Sequence, residues 1–100
     1  VAESRGLHLA LGPVAGHIPV SSTKSLHGQS LEASPLVELV STVLALREGL
    51  LPVNAGFLGA DPECPLNLIL DEPLAAAPAA ALSLNSAFGG ASTALIVGAP

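Results

Sequence analysis

Residues 31–48 form one helix-length segment that is apolar on nearly every side. Leu36, Val40, Val43 and Leu44 recur at the three- and four-residue spacing that places side chains along one stripe of an α-helix. Val37, Leu39 and Leu46 widen that stripe almost to a full circle, so the spacing predicts a helix buried on most sides. A helix of this kind needs protein on more than one flank. Composition points the same way. Half of the 100 residues are apolar, only Phe57 and Phe88 are aromatic, and 11% are charged. So little charge cannot coat an isolated domain of this size, while the supply of Leu, Ile and Val argues against disorder. The expectation is that residues 1–100 are part of a larger layered body and not an independent domain. The start at Val1 instead of Met is read as missing upstream sequence.

Charge narrows the partners. Three basic residues, Arg5, Lys24 and Arg47, face eight acidic ones, for a formal charge of −5. A phosphate-neutralising stripe needs clustered Lys and Arg, so no nucleic-acid partner is expected. No apolar run approaches the ~20 residues of a membrane span, and no secretory signal is visible. Cys64 is the sole cysteine, which leaves no internal disulfide. An intracellular, cytoplasmic protein is expected.

Along the chain, residues 2–11 read as a helix that stops at Gly12-Pro13. A short strand candidate follows at 18–22, then a loop containing Lys24, Gly28 and Gln29. The helix over 31–48 ends at Gly49. Its start has two candidates: Ser34-Pro35 as N-cap and first residue, or Ser30 capping an earlier turn. Residues 51–65 are rich in Pro and Gly and read as loop. A strand is predicted at 66–70, an Ala/Pro connection at 74–80, and a hairpin from strands at 81–85 and 93–97 joined by a wide, glycine-hinged turn. The order β-α-β-β-β around a buried helix indicates a layered α/β protein.

Taken singly, the polar residues make no site. His8, His17 and His27 are scattered without metal-ligand spacing, so no metal is expected. Cys64 has no base nearby in sequence and reads as an inert thiol. Gly89-Gly90 precedes a strand, so the helix dipole of a phosphate cradle is absent.

The ordered arrangement of segments says more. Val20-Ser-Ser-Thr-Lys-Ser-Leu-His-Gly-Gln is followed by an apolar helix ending Leu-Ala-Leu-Arg-Glu-Gly, then Leu-Pro-Val-Asn, Asp-Pro-Glu-Cys and Phe88-Gly-Gly. This series resembles the C-terminal end of β-ketoacyl synthases, condensing enzymes of the thiolase superfamily, over essentially all 100 residues. The resemblance implies a layered thiolase-like fold, of which this chain supplies a strand, a buried helix, a strand and the closing β-hairpin. It implies that the nucleophilic cysteine and a first catalytic histidine lie upstream. It matches Lys24 to a lysine that supports the catalytic centre, Phe88 to a gate for the acyl chain, and Gly89 and Gly90 to glycines that let backbone approach that centre closely.

One position departs from the pattern. The family's second catalytic histidine would follow Gly28, and Gln29 stands there. A histidine can donate a hydrogen bond and also change protonation state; the glutamine amide donates but cannot titrate. This pattern resembles the non-condensing partner of type II polyketide systems, the chain-length factor. That reading implies a ketosynthase α-type partner in a heterodimer, or the remainder of the same chain, with the condensing activity residing there. The alternative is an active synthase performing decarboxylative Claisen condensation with Gln29 as a neutral donor. Either implies no cofactor of its own, the acyl groups arriving on acyl-carrier-protein phosphopantetheine. His27 lies two residues from Gln29 and could replace the missing ring only if the loop slipped.

Overall fold

The computed structural model describes residues 1–100. Helix α1 spans Ala2–Leu11 and ends at Gly12, with a φ of 63°. The α-helix stops at Gly12-Pro13 as expected, and the chain continues as a 3-10 stretch, Gly12–Gly16, with Pro13, which needs no N–H partner, at its start. Strand β1, Pro19–Val20, follows. It leads into a single helical turn, α2, Lys24–His27, in a segment the sequence marked only as loop. After a 3-10 turn at Leu31–Ala33, helix α3 runs from Ser34 to Glu48. Four short or medium strands complete the chain after β2 (Leu50–Leu51): β3 (Asn67–Leu68), β4 (Leu74–Ala75), β5 (Ala80–Ser86) and β6 (Ser92–Gly98).

Three two-stranded sheets result. β1 and β3 pair in parallel, Pro19 opposite Asn67 and Val20 opposite Leu68. Parallel neighbours require a crossover, and α3 lies within it. β2 pairs antiparallel with β4, so the Ala/Pro run read as a connection contributes a strand, and the Ala76 N–H donates to the Gly49 carbonyl at 3.0 Å. The strand expected at 66–70 is shorter than its apolar run. β5 and β6 form the predicted hairpin, in register from Ala80 opposite Gly98 to Ser86 opposite Ser92. The fold class is the expected α/β one.

Helix α3 begins at neither predicted cap. Ser34 is already helical, Ala33 precedes it without a side-chain cap, and Pro35 sits in the first turn. The end is as predicted: Gly49 adopts a left-handed conformation (φ 69°, ψ 27°), its N–H on the Ala45 carbonyl at 3.0 Å. Ser41 and Thr42 donate back to the carbonyls of Val37 and Glu38 at 3.1 and 2.8 Å, which satisfies their hydroxyls within the helix.

Burial within these 100 residues is slight. α3 packs against β5 and the chain around β2, and Leu46 is 8% exposed. The predicted stripe is open: Leu36, Val40, Val43 and Leu44 are 66%, 53%, 45% and 48% exposed. The physical reason is a shortage of layers. Two-residue strands and one hairpin cover a single flank of the helix. Only six residues are buried, and the apolar ones among them are Ala15, Leu46 and Ile69. The accessible surface is 6871 Å², against about 5,200 Å² for a folded monomer of this mass. The Cα radius of gyration, 13.2 Å, nonetheless matches the ~13 Å of a compact 100-residue chain. No helix is long and apolar enough to cross a membrane.

This deficit of core generates a prediction for the isolated 100-residue polypeptide. Scanning calorimetry combined with sedimentation is expected to show self-association and no cooperative monomer transition, because the helix stripe and both hairpin edges remain uncovered. A sharp unfolding transition in a sample that sediments as a monomer would contradict it.

Candidate functional site

The polar residues singled out by the sequence lie in two places. The first is the segment from Ser22 to Ser34. Within it, the Lys24 ammonium pairs with the Glu38 carboxylate, tying α2 to α3. Glu38 is the less exposed partner, its side chain 15% accessible, so the carboxylate is the inner half of the pair. Lys24 is thus not a freely solvated lysine.

His27 closes the same turn. Its Nδ1 lies 3.0 Å from the Gly28 carbonyl, which can only accept, so Nδ1 carries the proton. Nε2, 2.7 Å from the Thr23 hydroxyl, then accepts from it. Both ring nitrogens are engaged by the loop itself. Gly28 follows with φ 83° and ψ 174°, a backbone region essentially confined to glycine. The chain thereby turns into Gln29.

Gln29 is exposed, but its amide is not free to rotate without cost. Its Oε1 accepts the Ser34 hydroxyl proton, and the Ser34 Oγ accepts the Ser30 N–H at 2.9 Å. Ser34 is 4% exposed. This explains why the hydroxyl does not cap its own helix.

The second place is the hairpin tip. Phe88 is fully exposed, so it touches neither Gln29 nor Lys24 within this chain. Gly89 and Gly90 each have a φ of 89°, and a Cβ built on either would meet nothing within 4 Å. The demand for glycine here is conformational; the close backbone approach expected of these two residues is not made by any part of these 100 residues. The tip is closed by the Ala87 N–H on the Ala91 carbonyl at 2.7 Å.

Sequence reasoning passed over Asn54. Its backbone N–H donates to the Ile69 carbonyl at 2.8 Å. Its Nδ2 donates to the carbonyls of Val20 and Ile69 at 2.9 and 3.1 Å, and its Oδ1 accepts the Ser22 N–H at 2.9 Å. One side chain therefore straps the ends of β1 and β3 to the start of the Lys24 loop. The signal available was an asparagine directly after an apolar run, quoted only as a landmark in Leu-Pro-Val-Asn.

The remaining candidates stand apart. His8 donates from Nε2 to the Pro65 carbonyl at 2.8 Å. The His17 carbonyl accepts from Asn67 at 3.0 Å. Cys64 is half-buried with its Sγ 3.9 Å from an Asp61 oxygen, with no basic side chain bonded to it. No three His, Cys, Asp or Glu side chains stand together as a metal set.

Residues 1–58 match the family described as beta-ketoacyl synthase, C-terminal domain. The chain is 40% identical over 90 residues to a 3-oxoacyl-[acyl-carrier-protein] synthase 2 of Synechocystis sp., covering 90% of this chain and 22% of that protein. It is 37% identical over 95 residues to the actinorhodin polyketide putative beta-ketoacyl synthase 1 of Streptomyces coelicolor, covering 95% and 20%. It is 35% identical over 98 residues to the tetracenomycin polyketide synthase ketoacyl synthase alpha subunit of Streptomyces glaucescens, covering 98% and 23%. The chain spans about a fifth of the length of these relatives.

The Asn54 strap carries its own prediction. In the full-length protein, Asn54→Ala is expected to lower stability by about 1–3 kcal/mol, since it removes the side chain's hydrogen bonds to the Val20 and Ile69 carbonyls and to the Ser22 N–H. Denaturant titration beside the parent protein checks this; an unchanged midpoint would mean that the strap is dispensable.

Proposed function

Since the chain belongs to the β-ketoacyl synthase family, to whose C-terminal domain residues 1–58 correspond, we propose that the protein containing it serves fatty acid or type II polyketide biosynthesis, with Gln29 as a neutral hydrogen-bond donor. In this reading the protein carries out decarboxylative Claisen condensation. The carbon–carbon bond to the malonyl carboxylate breaks, carbon dioxide leaves, and the electron pair passes into a thioester enolate. The enolate carbon then forms the new carbon–carbon bond at the acyl thioester, whose thiolate departs. That thiolate would come from outside these 100 residues, and the acyl groups from acyl-carrier-protein phosphopantetheine, with no further cofactor.

The observation that carries the reading is the Ser34-to-Gln29 hydrogen bond. With the amide oxygen occupied, the Nε2 hydrogens are the part of Gln29 left to point at a substrate. Negative charge develops on the malonyl thioester oxygen as carbon dioxide leaves, and a donor aimed there stabilises the transition state without changing its own protonation. Lys24, held by Glu38, would supply positive charge on the same loop. Phe88, exposed within this chain, would gate the acyl chain from the tip that carries Gly89 and Gly90. The relatives named as synthases and as an alpha subunit favour the condensing reading. These 100 residues would then be one part of a larger layered domain, whose remainder covers Leu36, Val40, Val43 and Leu44.

A second reading has its own support. The absence of a titratable ring at residue 29 suits a non-condensing chain-length factor that shapes the acyl pocket of a ketosynthase α-type partner in a heterodimer. The same experiment separates the two. With full-length protein and acyl- and malonyl-carrier proteins, Gln29→Ala should slow condensation about 100–1,000-fold, the loss typical of one oxyanion donor. An unaltered rate would remove Gln29 from the chemistry. No condensation by the parent protein alone, together with altered product length when it joins a ketosynthase, would select the second reading.

A further inference from the structure

We infer that Ser34 is a positioning residue that sets the Gln29 amide in one orientation, presenting its N–H groups to a carbonyl or carboxylate oxygen. The inference deepens the donor reading of Gln29 and rests on it for its catalytic consequence. It stands on the hydrogen-bond direction through three groups. The Ser30 N–H donates to the Ser34 Oγ at 2.9 Å, and the Ser34 hydroxyl donates in turn to the Gln29 Oε1. Ser34 is 4% exposed, so its proton has no water to turn to and needs a protein acceptor. The Ser30 carbonyl four residues back takes the Ala33 N–H at 3.0 Å, and the Ser34 hydroxyl donates to the Gln29 Oε1 instead. Reversing the Gln29 amide would turn N–H groups toward that hydroxyl and take away the acceptor that its buried proton now has. The assignment of oxygen and nitrogen therefore follows from the network.

The fold makes this coupling local. Gly28 turns the chain, the Leu31–Ala33 turn folds it back, and Ser34 at the first position of α3 meets the residue five before it. The helix is anchored to the same loop by the Lys24–Glu38 pair, so Ser34 is a fixed point against which an exposed amide is set. Without its hydroxyl, Gln29 samples both amide orientations, and only one of them presents a donor.

The test uses the full-length protein. Ser34→Ala should slow condensation about tenfold, the worth of one hydrogen bond, and Ser34→Thr, which keeps the hydroxyl, should restore it to within about twofold. The double variant Ser34→Ala/Gln29→Ala should be no slower than Gln29→Ala, because the amide that Ser34 orients is gone. A second readout needs no turnover. In protein labelled with 15N-glutamine, the side-chain amide resonance that disappears in Gln29→His should shift in Ser34→Ala and return in Ser34→Thr. A resonance unmoved by Ser34→Ala would overturn the inference. So would a Ser34→Ala loss that multiplies with Gln29→Ala, which marks a merely structural role. A resonance that shifts in a protein without condensing activity supports the positioning and counts against the condensing reading alone.

Discussion

β1 and β3 share only two residue pairs, too short a ladder to hold itself in water. What holds it is Asn54, whose amide bonds the carbonyls of Val20 and Ile69 while its oxygen takes the Ser22 N–H. The Val20 carbonyl also accepts the Ile69 N–H at 3.1 Å and the Ile69 carbonyl the Asn54 backbone N–H at 2.8 Å, so the side chain adds a second bond to each carbonyl and ties them to Ser22. Because Ser22 opens the segment that contains Lys24 and Gln29, the same strap fixes where that segment departs from the sheet. Lys24–Glu38 and Ser34–Gln29 then fasten its middle and its end to α3. The candidate site is a loop held at three points by polar contacts, on a body with very little core.

That small core has a measurable counterpart. The accessible surface exceeds expectation for the mass by roughly 1,700 Å², about twice the ~800 Å² that a standard protein–protein contact removes from each partner. The excess falls on recognisable places: the Leu36–Val40–Val43–Leu44 stripe, Leu95 and Ile96 on β6, and Phe88 at the hairpin tip. One flank of α3 is occupied by β5, and the other presents apolar side chains at helical spacing. A layered fold with protein on both flanks of that helix accounts for both faces at once.

How much was legible in the sequence depended on how local each cause is. α3 and the β5–β6 hairpin were readable, since the first has a sustained apolar period and the second has two apolar runs around Gly89-Gly90. The left-handed end at Gly49 was equally local. β4 was not readable, because Leu74-Ala75 has no strand pattern and is defined by pairing with residues just after α3. α2 lacks an apolar period and stands on Thr23–His27 and Lys24–Glu38 contacts. Asn54 acts across 34 and 15 residues of sequence, which no short motif reports. The open stripe on α3 marks a different limit: periodicity says which side chains call for cover, not whether these residues supply it. At the site, Gln29 was visible at once as a glutamine where the resemblance implies a histidine, whereas its hydrogen bond to Ser34 needed coordinates.

In the proposed reading the Gln29 amide stands where the resemblance implies an imidazole, so a group that titrates near neutrality gives way to one that does not. Donation to a thioester oxygen survives the exchange; proton transfer does not. The pH dependence of condensation by the full-length protein, recorded beside its Gln29→His variant, tests this most directly. The account predicts that the variant gains a limb near the ~6.5 of an ordinary histidine that the parent lacks. Superimposable profiles for the two proteins would contradict it.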